Sequence, residues 1–249
     1  MSILVFSLLF FPVVIGGLAV FLVKPNIKYL KLLTAFSGAY LLGISFLEIV
    51  PEIFGGDDTF TIGLFVILGF FVQLLLDFIT KGVEHGHEHL HEENVAHGPS
   101  YLNTLPIMIG ICIHSFLEGM PLAEGFGNPG LQTTMLTGIA IHNIPISVVL
   151  ISLLLHNSKK GSMVPVTLLL IFAFSAPLGT IVSNFLGTAL IEQYAHFFDY
   201  VLAMVVGIFL HISTTILFES DDHHRFDFVK LMVILLGFAT TIILSVLIH

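Results

Sequence analysis

The stretch LNTLPIMIGICIHSFLEGMPL, residues 102–122, holds one charged side chain, Glu118, in 21 positions, with an imidazole, His114, one helical turn before it. A bilayer core about 30 Å thick takes about 20 apolar residues at a rise of about 1.5 Å each. The stretch is long enough to cross, and it lacks the alternation of a strand. Working outward, seven more segments meet the same test: Ser2–Val23, Tyr29–Val50, Phe60–Thr80, Leu131–Leu155, Val164–Ile191, Phe198–Glu219 and Phe226–Ile248. The expectation is an all-α integral membrane protein, a helical bundle of eight transmembrane helices forming one domain over residues 1–249.

Composition agrees. Residues are 56% hydrophobic and 10% charged, whereas a soluble domain carries roughly 25% charged residues. So little charge cannot cover a water-facing surface, so the bilayer is the expected partner. The net charge of −9 argues against nucleic acid, which selects basic patches. A single cysteine, Cys112, excludes a disulfide framework or a thiolate cluster. Any metal site must then use imidazole, carboxylate, amide or thioether. Met1–Val23 lacks a basic start and reads as a first membrane helix rather than a cleavable signal.

Orientation follows from the bases. Lys24, Lys28 and Lys31 lie in or beside the first loop, Lys81 in the third, Lys159 and Lys160 in the fifth, and Arg225 and Lys230 in or beside the seventh; these are all 8 bases of the chain. Even loops carry Glu52, Asp57, Asp58, Glu124, Glu192 and Asp199 instead. The positive-inside rule makes the odd loops cytoplasmic and puts both termini outside. That parity requires an even number of helices, in agreement with the hydropathy.

The third loop, residues 81–101, is rich in His and Glu and includes His85, His87, His89, His91 and His97. Such tracts bind Zn²⁺, Ni²⁺ or Cu²⁺; a plain solvated linker is the alternative reading.

Polar side chains at bilayer depth are costly and mark pathways or sites. Gly110-Ile-Cys-Ile-His114-Ser115 is echoed by Gly138-Ile-Ala-Ile-His142-Asn143, 28 residues on. Glu118 follows His114 at i+4, on the same helix face. His114 lies about 12 residues into its segment, roughly 18 Å, and His142 about 11 into the next, roughly 17 Å. The short connection between the two segments predicts antiparallel neighbours. Metal ligands His114, Glu118, His142 and Asn143 are therefore expected to converge near the midplane. That set suits Zn²⁺, Fe²⁺ or Mn²⁺ and not Cu⁺. Pro145 is expected to kink its helix and release the Ile141 carbonyl, and Pro177 to open the sixth helix likewise. Secondary candidates are Ser115, Glu48 and His211. Glu48 and Glu52, beside Asp57 and Asp58, form an acidic rim that either gathers cations or is ordinary interfacial charge. Asp77 and Gln73 are expected near the inner interface, and 219–224 in the cytoplasm.

These features resemble the ZIP (Zrt/Irt-like) family of divalent metal-ion transporters. His114-Ser-Phe-Leu-Glu118-Gly119 is similar to the family's HNxPEG motif of helix four, His142-Asn-Ile-Pro145-Ile-Ser147 to its helix-five counterpart, and the Pro51-Glu52 that ends helix two to the family's Pro-Glu. The departures are Ser115 and Leu117 in the first motif, Ile146 in place of the helix-five Glu, and Ala176 before the helix-six Pro. The resemblance implies transported Zn²⁺, or Fe²⁺ or Mn²⁺, as substrate and no catalytic cofactor. It also implies uptake into the cytoplasm, a homodimer, and sliding of a four-helix unit against the rest. The missing carboxylates point to a mononuclear site where relatives bridge two ions. Short loops and compactness suit a bacterial inner membrane. Two other readings are an intramembrane zinc-dependent hydrolase and a metal sensor or transport-impaired relative; the chain is not expected to be an enzyme.

Overall fold

The computed structural model describes residues 1–80, 105–124, 128–156, 158, 161–190, 196–218 and 228–248. All regular structure among them is helical. In chain order come α1 (Ile3–Ala19), α2 (Ile27–Ile44), a π-helical turn (Ser45–Ile49), the short α3 (Val50–Ile53) and α4 (Thr59–Thr80). Then follow α5 (Leu105–Gly119) with a 3-10 turn (Met120–Leu122), α6 (Pro129–His156), α7 (Val164–Leu190), α8 (Phe197–Phe218) and α9 (Phe228–Ile248). α2 runs through the π turn into α3 as one rod, Ile27–Ile53, and among the described residues 7 rods are long and apolar enough to cross a bilayer. The first segment forms a shorter apolar helix of 17 residues, about 26 Å at 1.5 Å per residue. It then tightens into i→i−3 turns over residues 20–22.

Side-chain exposure fits lipid. Phe60 and Phe78 on α4, with Val246 and Leu247 on α9, are 74–82% exposed. In water that apolar surface would drive aggregation, whereas hydrocarbon solvates it.

The helices sort into two packed units. α1, α5, α6 and α7 pack on one another; so do α2, α4, α8 and α9, with α3 against α8. One buried cluster lies wholly in the first unit, from Val13 through Ile111, Ile146 and Leu150 to Phe172. The other is built on the second unit and takes residues from the first, Leu122, Leu131, Met135 and Ile139 among them. Leu122 and Leu131 lie toward the end that carries residues 54–58 and 124. Apolar packing joins the two units there, and toward the other end Thr80 of α4 meets Gly110 of α5.

Backbone crossings within each unit are closer than side chains permit. A methyl at Gly207 of α8 would land on the Val66 carbonyl of α4, and one at Gly179 of α7 on the Phe116 carbonyl of α5. Between units, side-chain ends fill the gap instead: Tyr40 of α2 faces Gly138 of α6, and Thr80 of α4 faces Gly110 of α5.

α6 and α7 remain helical through Pro145 and Pro177, and Pro145, with no N–H, leaves the Ile141 carbonyl without its usual helical donor; the α2 rod contains a π turn besides. One expectation changes on inspection: α5 and α6 touch over only a short stretch, because α5 lies mainly on α7 and α6 mainly on α1. The glycine crossing of α5 with α7 accounts for this. At the loop end the pair is still tied, since Gln132 donates to the Leu122 and Ala123 carbonyls at 3.0 Å each. Asn128 caps α6 by accepting from the Gly130 and Leu131 amides, with Pro129 at the first helical position. In the connection before α4, the hydroxyls of Thr61 and Tyr200 bond Asp58 and hold its carboxyl below its ordinary range.

Candidate metal centre

His114 and Glu118 share one face of α5, and both are 0% exposed, as is His142 on α6. One nitrogen of each ring and one carboxylate oxygen lie within 4.8 Å of one another. Nε2 of His114 is 3.3 Å from Oε1 of Glu118. The two rings stand edge-on, with centroids 5.9 Å apart and planes at 76°. His114 is the tenth residue of α5 and His142 the fourteenth of the 28 in α6, so both sit midway along their rods.

Hydrogen bonds orient both rings. His114 Nδ1 is 3.0 Å from Oε1 of Gln73 on α4. An amide oxygen only accepts, so the imidazole donates from Nδ1 and turns Nε2 toward Glu118. His142 Nδ1 is 3.3 Å from Oγ of Ser37 on α2. The Ser37 hydroxyl donates to the Thr34 carbonyl at 2.9 Å, so toward His142 it accepts. Each ring is thereby set to carry its proton on Nδ1 and offer Nε2 to an ion, the usual arrangement behind a ligating histidine.

Nε2 of His114 and a carboxylate oxygen of Glu118 both bear lone pairs. Their approach calls for a positive charge between them, either a proton or a metal dication. Filling the place with a metal expels the proton, so binding should release H⁺. Asn143, next to His142, is 1% exposed. Neither atom of its amide finds a hydrogen-bond partner among the described residues. Burying such an amide is unfavourable by about 1–3 kcal/mol, a cost that ligation by its oxygen would offset. The Thr180 hydroxyl of α7 donates to the Gly119 carbonyl at 2.8 Å, which fixes the turn of α5 that carries Glu118.

The structure thus brings together His114, Glu118 and His142, and buries Asn143 beside them in the chain. Ser115 is buried on the same helix. Glu48 is buried in the π turn, outside the group of three. His211 on α8 faces α4, with Nε2 3.7 Å from Oδ2 of Asp77 and its ring edge-on to Phe70 at 5.0 Å. Residues His85, His87, His89, His91 and His97 lie outside the described residues, as do 219–224. Glu52 accepts from Asn128 at 3.3 Å at the loop end. Sequence reading passed over Ser37 and gave Gln73 no partner. The i,i+4 pair Gln73/Asp77 in a 22-residue apolar helix was the available signal for α4; a lone Ser in a span gives none.

A family model described as ZIP zinc transporter matches residues 83–245, well over half of the chain. Comparison with curated proteins finds no match.

Proposed function

Because the chain belongs to the ZIP zinc transporter family, whose members move divalent metal ions across membranes, we propose that His114, Glu118, His142 and Asn143 bind the ion in transit. Zn²⁺ is the leading cargo, with Fe²⁺ and Mn²⁺ as further candidates on the same N/O ligand set. The observation that carries this reading is the buried group of two imidazoles and one carboxylate within 4.8 Å, each ring oriented through Nδ1.

Loop charges support eight crossings with both termini outside, the family resemblance implies ion flow into the cytoplasm, and the short loops suit a bacterial inner membrane. In that frame the apolar weld of Leu122, Leu131, Met135 and Ile139 against the second unit lies on the outer side. It closes that side in the conformation observed. Asp77 sits one turn beyond Gln73, toward the third loop, so Asp77 and His211 would be passed by an ion leaving inward. Exposing the site outward requires breaking the weld, and the two units are the natural rigid bodies for that movement. Each unit holds backbone-close crossings, at Gly207–Val66 and Gly179–Phe116, whereas Tyr40 and Thr80 side chains fill the seam opposite Gly138 and Gly110. Alternating access would then be a displacement of α1, α5, α6 and α7 along α2, α4 and α8. A homodimer is the assembly the resemblance implies.

Zinc uptake into metal-free proteoliposomes tests this reading. The parent should fill the vesicles and the His114→Ala/His142→Ala variant should not. Equal flux in both would remove the centre from the pathway. Binding without flux in the parent would select the sensor alternative.

A further inference from the structure

The ligands and their supports lie on opposite sides of the seam. His114 and His142 belong to α5 and α6 of the first unit. Gln73 and Ser37, which take their Nδ1 protons, belong to α4 and α2 of the second. Both bonds cross the seam, join neutral partners and are buried. We propose that Gln73 and Ser37 are positioning residues that couple the grip on the ion to the relative position of the two units. With the units as observed, His114 is held with Nε2 toward Glu118 and His142 is oriented through Nδ1 beside them. Displacing one unit by a helical turn, about 5.4 Å, carries both Nδ1 atoms out of hydrogen-bond range together. The rings then lose their fixed orientation and part of their basicity, and the ion is held less tightly. The inference rests on the proposed metal centre and adds how affinity changes during transport.

The two supports are well suited to this. An acid in their place would bind each imidazole strongly and resist sliding. A neutral amide and a hydroxyl orient the ring but part from it at modest cost. Ser37 is tied to its own helix by the Thr34 carbonyl, so it stays with α2 when the seam moves.

The test uses the full-length protein in detergent, with Cys112→Ser and the loop histidines His85, His87, His89, His91 and His97 replaced by Ala. Its probe is Co²⁺, whose absorption reports ligand geometry. Loss of a partner behind a metal-binding histidine weakens binding about 10–100-fold. Gln73→Leu and Ser37→Ala should each weaken Co²⁺ binding by that factor, and Ser37→Thr should restore the parent value. In proteoliposomes the same variants should raise KM while leaving kcat at or above the parent's. A seam lock supplies the second arm. An ideal Cβ on Gly110 lies 3.8 Å from Cβ of Thr80, which is the mean spacing in a disulfide, about 3.8 Å. Oxidised Thr80→Cys/Gly110→Cys should therefore hold the observed position and bind Co²⁺ more tightly than its reduced form. In the Gln73→Leu/Ser37→Ala background that gain should vanish. An equal gain in both backgrounds, or parent affinity in Gln73→Leu and Ser37→Ala, overturns the coupling. His114→Ala serves as the separate control. If it binds Co²⁺ like the parent, the centre itself is wrong; if it loses binding while the supports prove neutral, only the coupling fails.

Discussion

Zinc should stabilise the folded protein through the buried centre, by an amount that can be estimated. A ligand present at a hundredfold its Kd stabilises by about 2.7 kcal/mol. Roughly 2.1 cal/mol/K of unfolding entropy per residue, over 249 residues, sums to about 0.5 kcal/mol/K. The expected rise in Tm is therefore about 5 °C. Helices that persist in a micelle lower the entropy change and enlarge the shift. The chain has no Trp, so the assay is far-ultraviolet circular dichroism of detergent-solubilised protein, with and without Zn²⁺. Replacing His85, His87, His89, His91 and His97 by Ala first keeps the loop from contributing. In that background the shift should survive intact. It should disappear in His114→Ala/His142→Ala and shrink in Glu118→Gln, which keeps shape and removes charge. A shift of the same size in the double variant refutes the assignment, because the ion would then be held elsewhere.

Other outcomes follow from particular contacts. Gly207→Leu forces a side chain against the Val66 carbonyl and should destabilise the α4–α8 crossing by about 1–3 kcal/mol, read as a lower Tm, with zinc bound per folded molecule unchanged. Asp77→Asn removes an acid that pairs with His211 at 3.7 Å but lies outside the three-residue group; zinc affinity at equilibrium should stay at the parent value while the uptake rate falls. Asp58 has a lowered folded pKa, so its bonds stabilise the fold above the ordinary carboxylate value and fade as pH falls through the lowered one. Asp58→Asn should accordingly flatten the decline of Tm on the acid side, and an unchanged decline would count against that contribution.

Much of this was legible before any coordinates. Long apolar runs located the helices to within a few residues, since a run of that length has one stable state in lipid. The echo of His114 in His142, with Glu118 at i+4, singled out groups that lie within 4.8 Å of one another, because the helical period puts His114 and Glu118 on one face and the echo gives His142 a matching depth in the next helix. What escaped was whatever depends on which helices meet. The short link between α5 and α6 suggested close neighbours, yet the α5–α7 glycine crossing took precedence. The π turn of Ser45–Ile49 in α2 was not foreseen, although Pro51 stands two residues beyond it in the same rod. Ser37 and Gln73 gained meaning only when α2 and α4 were seen beside the histidines. A polar residue in a span announces that it needs a partner but not which partner it has.

The claim everything else depends on is that one ion is shared by side chains of α5 and α6. X-ray absorption at the zinc edge on protein loaded with one equivalent of Zn²⁺, its loop histidines replaced, addresses it most directly. The expected spectrum shows nitrogen and oxygen at about 2.0–2.2 Å, two imidazoles in the outer-shell scattering, and loss of that signal in His114→Ala/His142→Ala. Sulfur at about 2.3 Å, or a spectrum indifferent to the two substitutions, would contradict it.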